Sequence, residues 1–243
     1  MKFRKIVGFG DSWMYGDELL DPELAAQHSD AHSCWVQNVD YREQHCFLGQ
    51  LGKHYSVPVE NFGIPGGSLQ STIWTYLWWL EHEPNPENCL ALVALTEADR
   101  ETFYNPNHQH FSNDPPWNKF IHSTWVEYGS SVIEQDWRNM VKHYMVLSAG
   151  PELRKLNYLQ AVHFFNGQRA AGINLFQFHT MPPPVSVNLP SMIMPEFYWT
   201  VWFRDHPGNQ KRELIMPGGH PNEIGHQMIS ERLILEIDRA IIQ

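Results

Sequence analysis

The chain has 243 residues, of which 42% are hydrophobic and 18% charged, and its formal net charge at pH 7 is −10. This composition is typical of a globular protein with one sizeable core. The acidic balance and the lack of a clustered run of Lys and Arg argue against nucleic-acid binding, and no apolar run reaches the roughly 18 residues of a membrane span. We therefore expect neither a nucleic acid nor a membrane among the partners.

The N-terminal segment and the cysteines indicate the compartment. The first apolar stretch is broken by Gly and Asp too early for a secretory signal peptide. The three cysteines, Cys34, Cys46 and Cys89, form no C-x-x-C pair and no disulfide framework, which fits a reducing compartment. We expect a cytoplasmic protein, or one carried in a virion if the source is viral. The 14 histidines have no zinc-binding spacing, so no metal site is expected.

Strands and helices are predicted to alternate along the chain. The predicted strands span residues 4–9, 57–63, 89–95 and 173–180, and the predicted helices span 42–55, 68–83, 130–147, 151–171 and 222–242. The run at 89–95 is continuously apolar, as expected for a strand that is covered on both faces. This alternation predicts an α/β fold with a mostly parallel sheet and helices on both faces.

We expect a single domain over residues 1–243. No internal repeat, low-complexity tract or interdomain linker is visible in the sequence. Segments without clear periodicity predict long loop insertions around residues 17–41, 101–129 and 181–216.

Three short stretches lie where a parallel sheet would bring them together. Gly10–Ser12 (GDS) ends the first strand, Asn61–Ser68 (NFGIPGGS) follows the second, and Gly218–His226 (GGHPNEIGH) opens the last helix. Sites in such sheets form beyond the carboxyl ends of the strands, where Ser12 is expected. A serine hydroxyl needs a base to accept its proton, and His220 is the candidate base.

Taken in this order, the three stretches resemble the SGNH, or GDSL-type, hydrolases, a family of α/β esterases, lipases and deacetylases. The resemblance implies a three-layer α/β/α, flavodoxin-like fold. It implies that Ser12 is the nucleophile and His220 the base, and that the N–H groups of Ser12 and Gly66 form an oxyanion hole. The implied reaction is hydrolysis of a carboxylic ester of a small molecule or carbohydrate, for example an O-acetyl ester, through an acyl-enzyme without a cofactor.

Two positions depart from the family pattern. The third block of the family has Asn before Asp, whereas here Ala98 precedes Asp99, with Thr96 as a further candidate oxyanion donor. The family places Asp three residues before the histidine, where this chain has Pro217. Loss of one oxyanion donor costs about 100- to 1,000-fold, so weak activity is one expectation.

The acid partner and the choice of histidine stay open in part. Asp205, Glu213 and Glu223 are candidates for the acid, and a dyad without an acid is a further alternative. His206 also precedes a proline, but His220 is preferred because His220-Pro221-Asn222 leads directly into the last helix.

The departures also support a second hypothesis. The missing Asn and Asp, together with the long aromatic insertions, are compatible with a non-catalytic SGNH-fold binding or structural module, for example in a bacteriophage particle. Such a module would have an oligomeric or assembly partner. A flavin-binding protein is disfavoured because the loop after the first strand lacks the Ser and Thr run of a phosphate site.

Overall fold

Strands and helices alternate along the part of the chain that the structure describes. This computed structural model describes residues 3–27, 38–104, 120–122, 150–207, 213–216 and 219–242, together with positions 135, 139, 140, 143 and 144. The strands are β1 (Lys5–Gly10), β2 (Val59–Gly63), β3 (Cys89–Leu95), β4 (Thr102–Tyr104), β5 (Phe120–His122) and β6 (Leu175–His179). The helices are α1 (Ser12–Tyr15), α2 (Pro22–Gln27), α3 (Val39–His45), α4 (Phe47–Tyr55), α5 (Leu69–His82), α6 (Pro151–Ala170), α7 (Trp199–Asp205) and α8 (Glu223–Ile242).

The main sheet is parallel and has the strand order β2-β1-β3-β6. Every residue of the central strand β3 is buried, as its continuous apolar sequence predicts. With the small antiparallel pair β4–β5 set aside, the order follows the start of the flavodoxin-like order 2-1-3-4-5. The predicted α/β fold with a mostly parallel sheet is confirmed.

Two apolar cores cover the two faces of this sheet. One core joins α4 and α8 to one face, through side chains that include Leu48, Leu51, Ile229, Leu233 and Ile237. The other joins α5 and α6 to the opposite face, through side chains that include Tyr76, Trp79, Tyr158, Val162 and Phe165. Adjacent strand residues alternate between the two cores, since Ile6 belongs to the first and Val7 to the second. The result is the three-layer arrangement that the alternating pattern predicted.

The helix predicted over 42–55 is two helices. The chain is extended at Cys46, which ends α3 and begins α4, with φ −65° and ψ 158°. The side chain of Gln50 donates a hydrogen bond to the His45 carbonyl at 2.8 Å, which satisfies an acceptor left at the end of α3. The prediction of one continuous helix is therefore wrong, although the apolar face that it identified does pack on the sheet.

The predicted insertions are described only in part. Within 181–216, the chain runs beside β6: the Gln177 N–H donates to the Ser191 carbonyl at 2.8 Å, and the Ile193 N–H donates back to the Gln177 carbonyl at 3.0 Å. Residues 28–37, 105–119 and 123–129 of the other two insertions, and most of the helix predicted at 130–147, lie outside the described residues. None of the helices described is both long and apolar enough to cross a membrane.

Candidate active site

Ser12 lies at the carboxyl end of β1, where it is the first residue of the short helix α1. The preceding residue, Asp11, is the N-cap of this helix, and its Oδ1 accepts a hydrogen bond from the Trp13 N–H at 3.0 Å. As the first helical residue, Ser12 has an N–H without an intrahelical acceptor. The GDS stretch thus presents both a hydroxyl and an N–H donor at the edge of the sheet.

His220 is held by a short hairpin that leads into α8. The Met216 N–H donates to the His220 carbonyl at 2.8 Å, and the Asn222 N–H donates to the Leu214 carbonyl at 2.9 Å. This places His220 Nε2 at 2.9 Å from Ser12 Oγ, across 208 positions of sequence. The structure therefore brings together the two residues that the sequence predicts as nucleophile and base.

Asn222 fixes the junction between this hairpin and α8. Its Oδ1 accepts from the Gly225 N–H in the first turn of the helix at 2.9 Å, and its Nδ2 donates to the Glu213 carbonyl at 2.7 Å. One side chain thus caps the helix and ties the loop to it. This explains in physical terms why an asparagine follows His220-Pro221.

The carboxylate that contacts His220 Nδ1 is that of Glu18. Its Oε2 lies 2.8 Å from His220 Nδ1 and accepts the His220 backbone N–H at 3.3 Å. None of the three acids considered from the sequence occupies this place. Asp205 pairs with Arg204, the carboxylate of Glu223 contacts Tyr41 and His45, and the Glu213 side chain is exposed.

Sequence reasoning missed Glu18 because the family pattern directs attention to the residues before the histidine. What marks Glu18 is visible in the structure, in the turn that follows α1. Gly16 has φ 80°, and the Leu19 N–H donates to the Gly16 carbonyl at 3.2 Å, so Glu18 is the third residue of a tight turn with φ 64°. Glycine or asparagine is favoured at such a position, and a strained non-glycine residue there is a marker of function.

A second carboxylate, that of Asp17, lies on the other side of the imidazole. Its Oδ1 accepts the Glu18 N–H at 3.1 Å, and its Oδ2 is 3.9 Å from His220 Nε2. Its backbone N–H donates to the Ser12 carbonyl at 3.0 Å. Asp17 is therefore fixed next to the nitrogen that faces the serine.

The second motif supplies the wall of the site beside α1. Asn61 accepts the Gly63 N–H at 2.9 Å and donates to the Met14 carbonyl at 2.9 Å, which ties β2 to the helix of Ser12. A Cβ at position 63 would collide with the backbone of Tyr15, so only glycine fits there. The asparagine of this motif thus has a structural function.

Gly66 lies in the turn that follows β2. The Gly67 N–H donates to the Ile64 carbonyl at 2.8 Å, and Gly66 has φ 72° between Pro65 and Gly67. Proline followed by a residue with positive φ is the pattern of a type II turn, which glycine adopts without strain. The predicted oxyanion donor Gly66 therefore has a fixed backbone.

Thr96, Arg100 and Asp11 form a buried polar cluster beside Ser12. Thr96 Oγ1 donates to Asp11 Oδ2 at 2.6 Å, and Arg100 Nη1 donates to the same oxygen at 3.2 Å. Burial tends to lower the pKa of Arg100, but the carboxylates of Asp11 and Glu97 outweigh it and raise that pKa. Ala98 is buried and has no polar group to replace the asparagine of the family.

The two fully buried histidines near this edge of the sheet are structural. His226 accepts the Phe47 N–H at 3.2 Å, and burial, with a smaller contribution from His220, lowers the pKa of His226 to about 3. His179 contacts the Tyr158 hydroxyl at 2.8 Å, and burial lowers its pKa to about 4. Both imidazoles are neutral at pH 7. His206, the rival base, packs against Trp202 with ring centroids 4.7 Å apart and the ring planes tilted by 47°.

Comparisons with protein-family models and with curated proteins find no match. Among solved structures, a member of the lipolytic G-D-S-L family from Veillonella parvula shares 12% identity and a TM-score of 0.45, over 95% of this chain and 96% of that one. A lipase/acylhydrolase from Enterococcus faecalis shares 14% identity and a TM-score of 0.40, over 97% and 95%. A catalytic mutant of an acetylxylan esterase from Geobacillus stearothermophilus shares 11% and a TM-score of 0.38, over 98% and 96%.

Proposed function

We propose that the chain is a serine esterase that hydrolyses a carboxylic ester through an acyl-enzyme. The observation that supports this is a continuous contact from Ser12 Oγ to His220 Nε2 at 2.9 Å and from His220 Nδ1 to Glu18 Oε2 at 2.8 Å. A hydroxyl, an imidazole and a carboxylate in this order are the parts of a catalytic triad, whose recognition depends on geometry rather than sequence position.

In the first half of the reaction, Ser12 Oγ bonds to the ester carbonyl carbon while its proton passes to His220 Nε2. Glu18 accepts the Nδ1 proton in a hydrogen bond, fixes the tautomer and stabilises the imidazolium. His220 then donates the proton to the alcohol oxygen as the C–O bond breaks. In the second half, water gives a proton to His220 as it attacks the acyl carbon, and His220 returns that proton to Ser12 Oγ as the bond between Oγ and the acyl carbon breaks, which releases the acid and restores Ser12.

The tetrahedral oxyanion is stabilised by the backbone N–H groups of Ser12 and Gly66. We do not include Thr96, because a hydroxyl has one proton and that of Thr96 is directed at Asp11 Oδ2 at 2.6 Å. Because Ala98 stands in place of the family asparagine, we assign two donors to the oxyanion hole, both of them backbone N–H groups. Removal of one donor costs about 100- to 1,000-fold in other serine hydrolases, so a modest turnover is expected.

The substrate that we propose is a short acyl ester, and a carbohydrate O-acetyl ester is the specific case. Neither a metal nor an organic cofactor takes part in the proposed steps, since the serine, the histidine and water supply all the atoms that react. Water enters only as the second nucleophile, after the alcohol has left.

The experiment measures hydrolysis of p-nitrophenyl acetate and labelling by a fluorophosphonate probe. Wild type is expected to show both, and Ser12→Ala neither. Ser186→Ala is a matched control, because Ser186 is exposed in a loop and takes no part in the site. If wild type shows no turnover and no labelling that depends on Ser12, the esterase proposal is wrong, and the non-catalytic binding module becomes the better hypothesis.

A further inference from the structure

The segment that carries Glu18 is held by the side chain of Asn38. The Nδ2 group of Asn38 donates a hydrogen bond to the Leu19 carbonyl, and its Oδ1 accepts the Asp21 N–H at 2.8 Å. One amide thus bridges two backbone groups that follow Glu18 by one and by three positions. Asn38 is 1% exposed, so its amide exchanges water for these two backbone partners.

The residue type and the position of Asn38 predict a different contact for its side chain. Asn38 is the N-cap residue of α3, where an asparagine commonly accepts an N–H from the first turn of its own helix. Here the side chain makes no such bond, although the Asn38 carbonyl accepts the Arg42 N–H of α3 at 3.0 Å. The side chain of Asn38 therefore stabilises the segment of Glu18 and not its own helix.

The start of the same segment is fixed by packing at the end of α3. Gly16 has φ 80°, and a Cβ at this position would lie only 2.8 Å from Cys46 Cβ. The Gly16 carbonyl accepts the Leu19 N–H at 3.2 Å, and the Leu19 side chain is buried in the core. Glu18 therefore lies between a start that is fixed by packing at Gly16 and an end that is fixed by the amide of Asn38.

Glu18 requires such support because its backbone is strained. Its φ of 64° lies in the left-handed region, which a residue other than glycine keeps only where the surroundings impose it. If the segment relaxed, Glu18 Oε2 would move away from His220 Nδ1, which it contacts at 2.8 Å. We propose that Asn38 is a positioning residue that keeps the carboxylate of Glu18 on His220. This inference rests on the proposed esterase function and deepens it, since it names what holds the acid of the triad.

The size of the effect follows from how far the acid can move. Displacement of a catalytic group by about 1 Å costs up to about 100-fold in rate. Loss of the Asn38 amide leaves the packing at Gly16 in place, so we expect a smaller loss, of about tenfold in kcat/KM. This loss should not exceed that of Glu18→Gln, because Asn38 acts on the reaction through the Glu18 carboxylate.

The test is a double-mutant cycle between positions 38 and 18, measured as kcat/KM for p-nitrophenyl acetate. Asn38→Ser is the first substitution, because serine is favoured at an N-cap and preserves the start of α3, whereas its single hydroxyl cannot replace both bonds of the amide. It should lower kcat/KM about tenfold in wild type, but by no more than about twofold in Glu18→Gln. Asn38→Ala should give the same pattern. Urea unfolding verifies that each variant is folded under the assay conditions.

Asn166→Ala is the matched control, since it also removes two hydrogen bonds of an asparagine side chain. Asn166 lies on α6, in the opposite layer from Leu19, and its Oδ1 accepts the N–H and the hydroxyl of Ser191 at 3.3 and 3.1 Å. This variant should retain the kcat/KM of wild type.

The outcomes separate the positioning role from the esterase function. An equal loss from Asn38→Ser in wild type and in Glu18→Gln indicates a general structural role and overturns the role of Asn38. The absence of any loss in wild type overturns it as well. In both cases, hydrolysis that still depends on Ser12 leaves the esterase proposal intact. Absence of any Ser12-dependent hydrolysis in wild type overturns both proposals.

Discussion

The carboxyl edge of the sheet carries two polar clusters that differ in burial. The reactive cluster consists of Ser12, His220 and Glu18, and the last two side chains are 20% and 28% exposed. The anchoring cluster consists of Asp11, Thr96 and Arg100, and its aspartate has no exposed surface. Sequence neighbours Asp11 and Ser12 thus belong to different clusters. One position holds the turn in place, and the next directs its hydroxyl at His220.

The two clusters also differ in backbone strain. Asp11 caps α1 from an extended conformation, with φ −94° and ψ −156°, which any residue adopts. Glu18 has φ 64°, in the left-handed region that favours glycine. Strain of this kind costs about 1–3 kcal/mol, and it persists where the surroundings impose it. In the reactive cluster, the strained backbone that positions Glu18 lowers the stability of the fold. The anchoring cluster, in contrast, stabilises the fold.

The largest expected effect follows from removing the nucleophile or the base. Ser12→Ala and His220→Ala should each lower kcat/KM for p-nitrophenyl acetate by at least about 10³-fold, since loss of a triad member has effects of this size or larger. His206→Ala is the control and should retain wild-type turnover, because His206 packs against Trp202 and the imidazole in contact with Ser12 Oγ is that of His220. A loss in His206→Ala with activity retained in His220→Ala would reverse the assignment of the base.

The next effect concerns the acid. Glu18→Gln should lower kcat/KM by about 10²- to 10⁴-fold, because a neutral partner neither fixes the tautomer nor stabilises the imidazolium. Glu18→Gly should lose activity similarly while it relieves the positive φ, so that the free energy of unfolding does not fall by more than about 1 kcal/mol. Steady-state kinetics and urea unfolding measure the two quantities. Full activity in Glu18→Gln would show that His220 works without this acid.

The anchoring cluster should respond in the opposite way, with stability affected more than chemistry. Asp11→Asn removes the buried charge that pairs with partly buried Arg100, and since loss of one partner of a fully buried pair costs about 3–5 kcal/mol, we expect a loss at or below the lower end of that range. Thr96→Val removes one hydrogen bond to Asp11 and should cost about 1–3 kcal/mol. Urea unfolding checks both values. If both variants keep wild-type stability but lose turnover, the cluster is part of the reactive site and the distinction between the clusters fails.

The smallest effect concerns buried His226. Burial lowers the pKa of His226 from its ordinary value of 6.5 to about 3 in the folded protein, so between these pH values the unfolded chain binds a proton that the folded chain does not. Stability therefore falls as pH decreases through this window, by up to about 1.4 kcal/mol per pH unit for this group. His226→Gln should reduce the slope of the unfolding free energy against pH, between pH 6 and 4, by up to about 1.4 kcal/mol per pH unit. Equal slopes in wild type and variant would contradict the burial effect.

Much of the fold could be predicted from the sequence, because its signals are local. The continuous apolar run at 89–95 predicts β3 with its observed bounds, and helical spacing at 68–83 predicts α5 within one residue at each end. The break at Cys46 could not be predicted, because an apolar face at helical spacing continues through it. The placement of Ser12 and His220 at the edge of the sheet follows from the rule that sites form at the carboxyl ends of parallel strands.

Glu18 could not be predicted in the same way, because its function depends on a contact between a turn at residue 18 and a loop at residue 220. The residue three positions before the histidine, where the family has its acid, gives no information about Glu18. The function of the Thr96 hydroxyl could not be predicted either. A threonine at this position could donate to an oxyanion or to a neighbouring carboxylate, and in the structure it donates to Asp11. In both cases the deciding information is a pairing between distant segments.

The most direct test of the central claim is the site of covalent modification. The protein is treated with a fluorophosphonate, digested with a protease and analysed by mass spectrometry, for wild type and for His220→Ala. We predict a stoichiometric adduct on Ser12 in wild type and labelling of Ser12 that is slower by at least about 10³-fold in His220→Ala, because the serine reacts only when a base accepts its proton. An adduct on another residue, or labelling of Ser12 at the same rate in both proteins, would contradict the account.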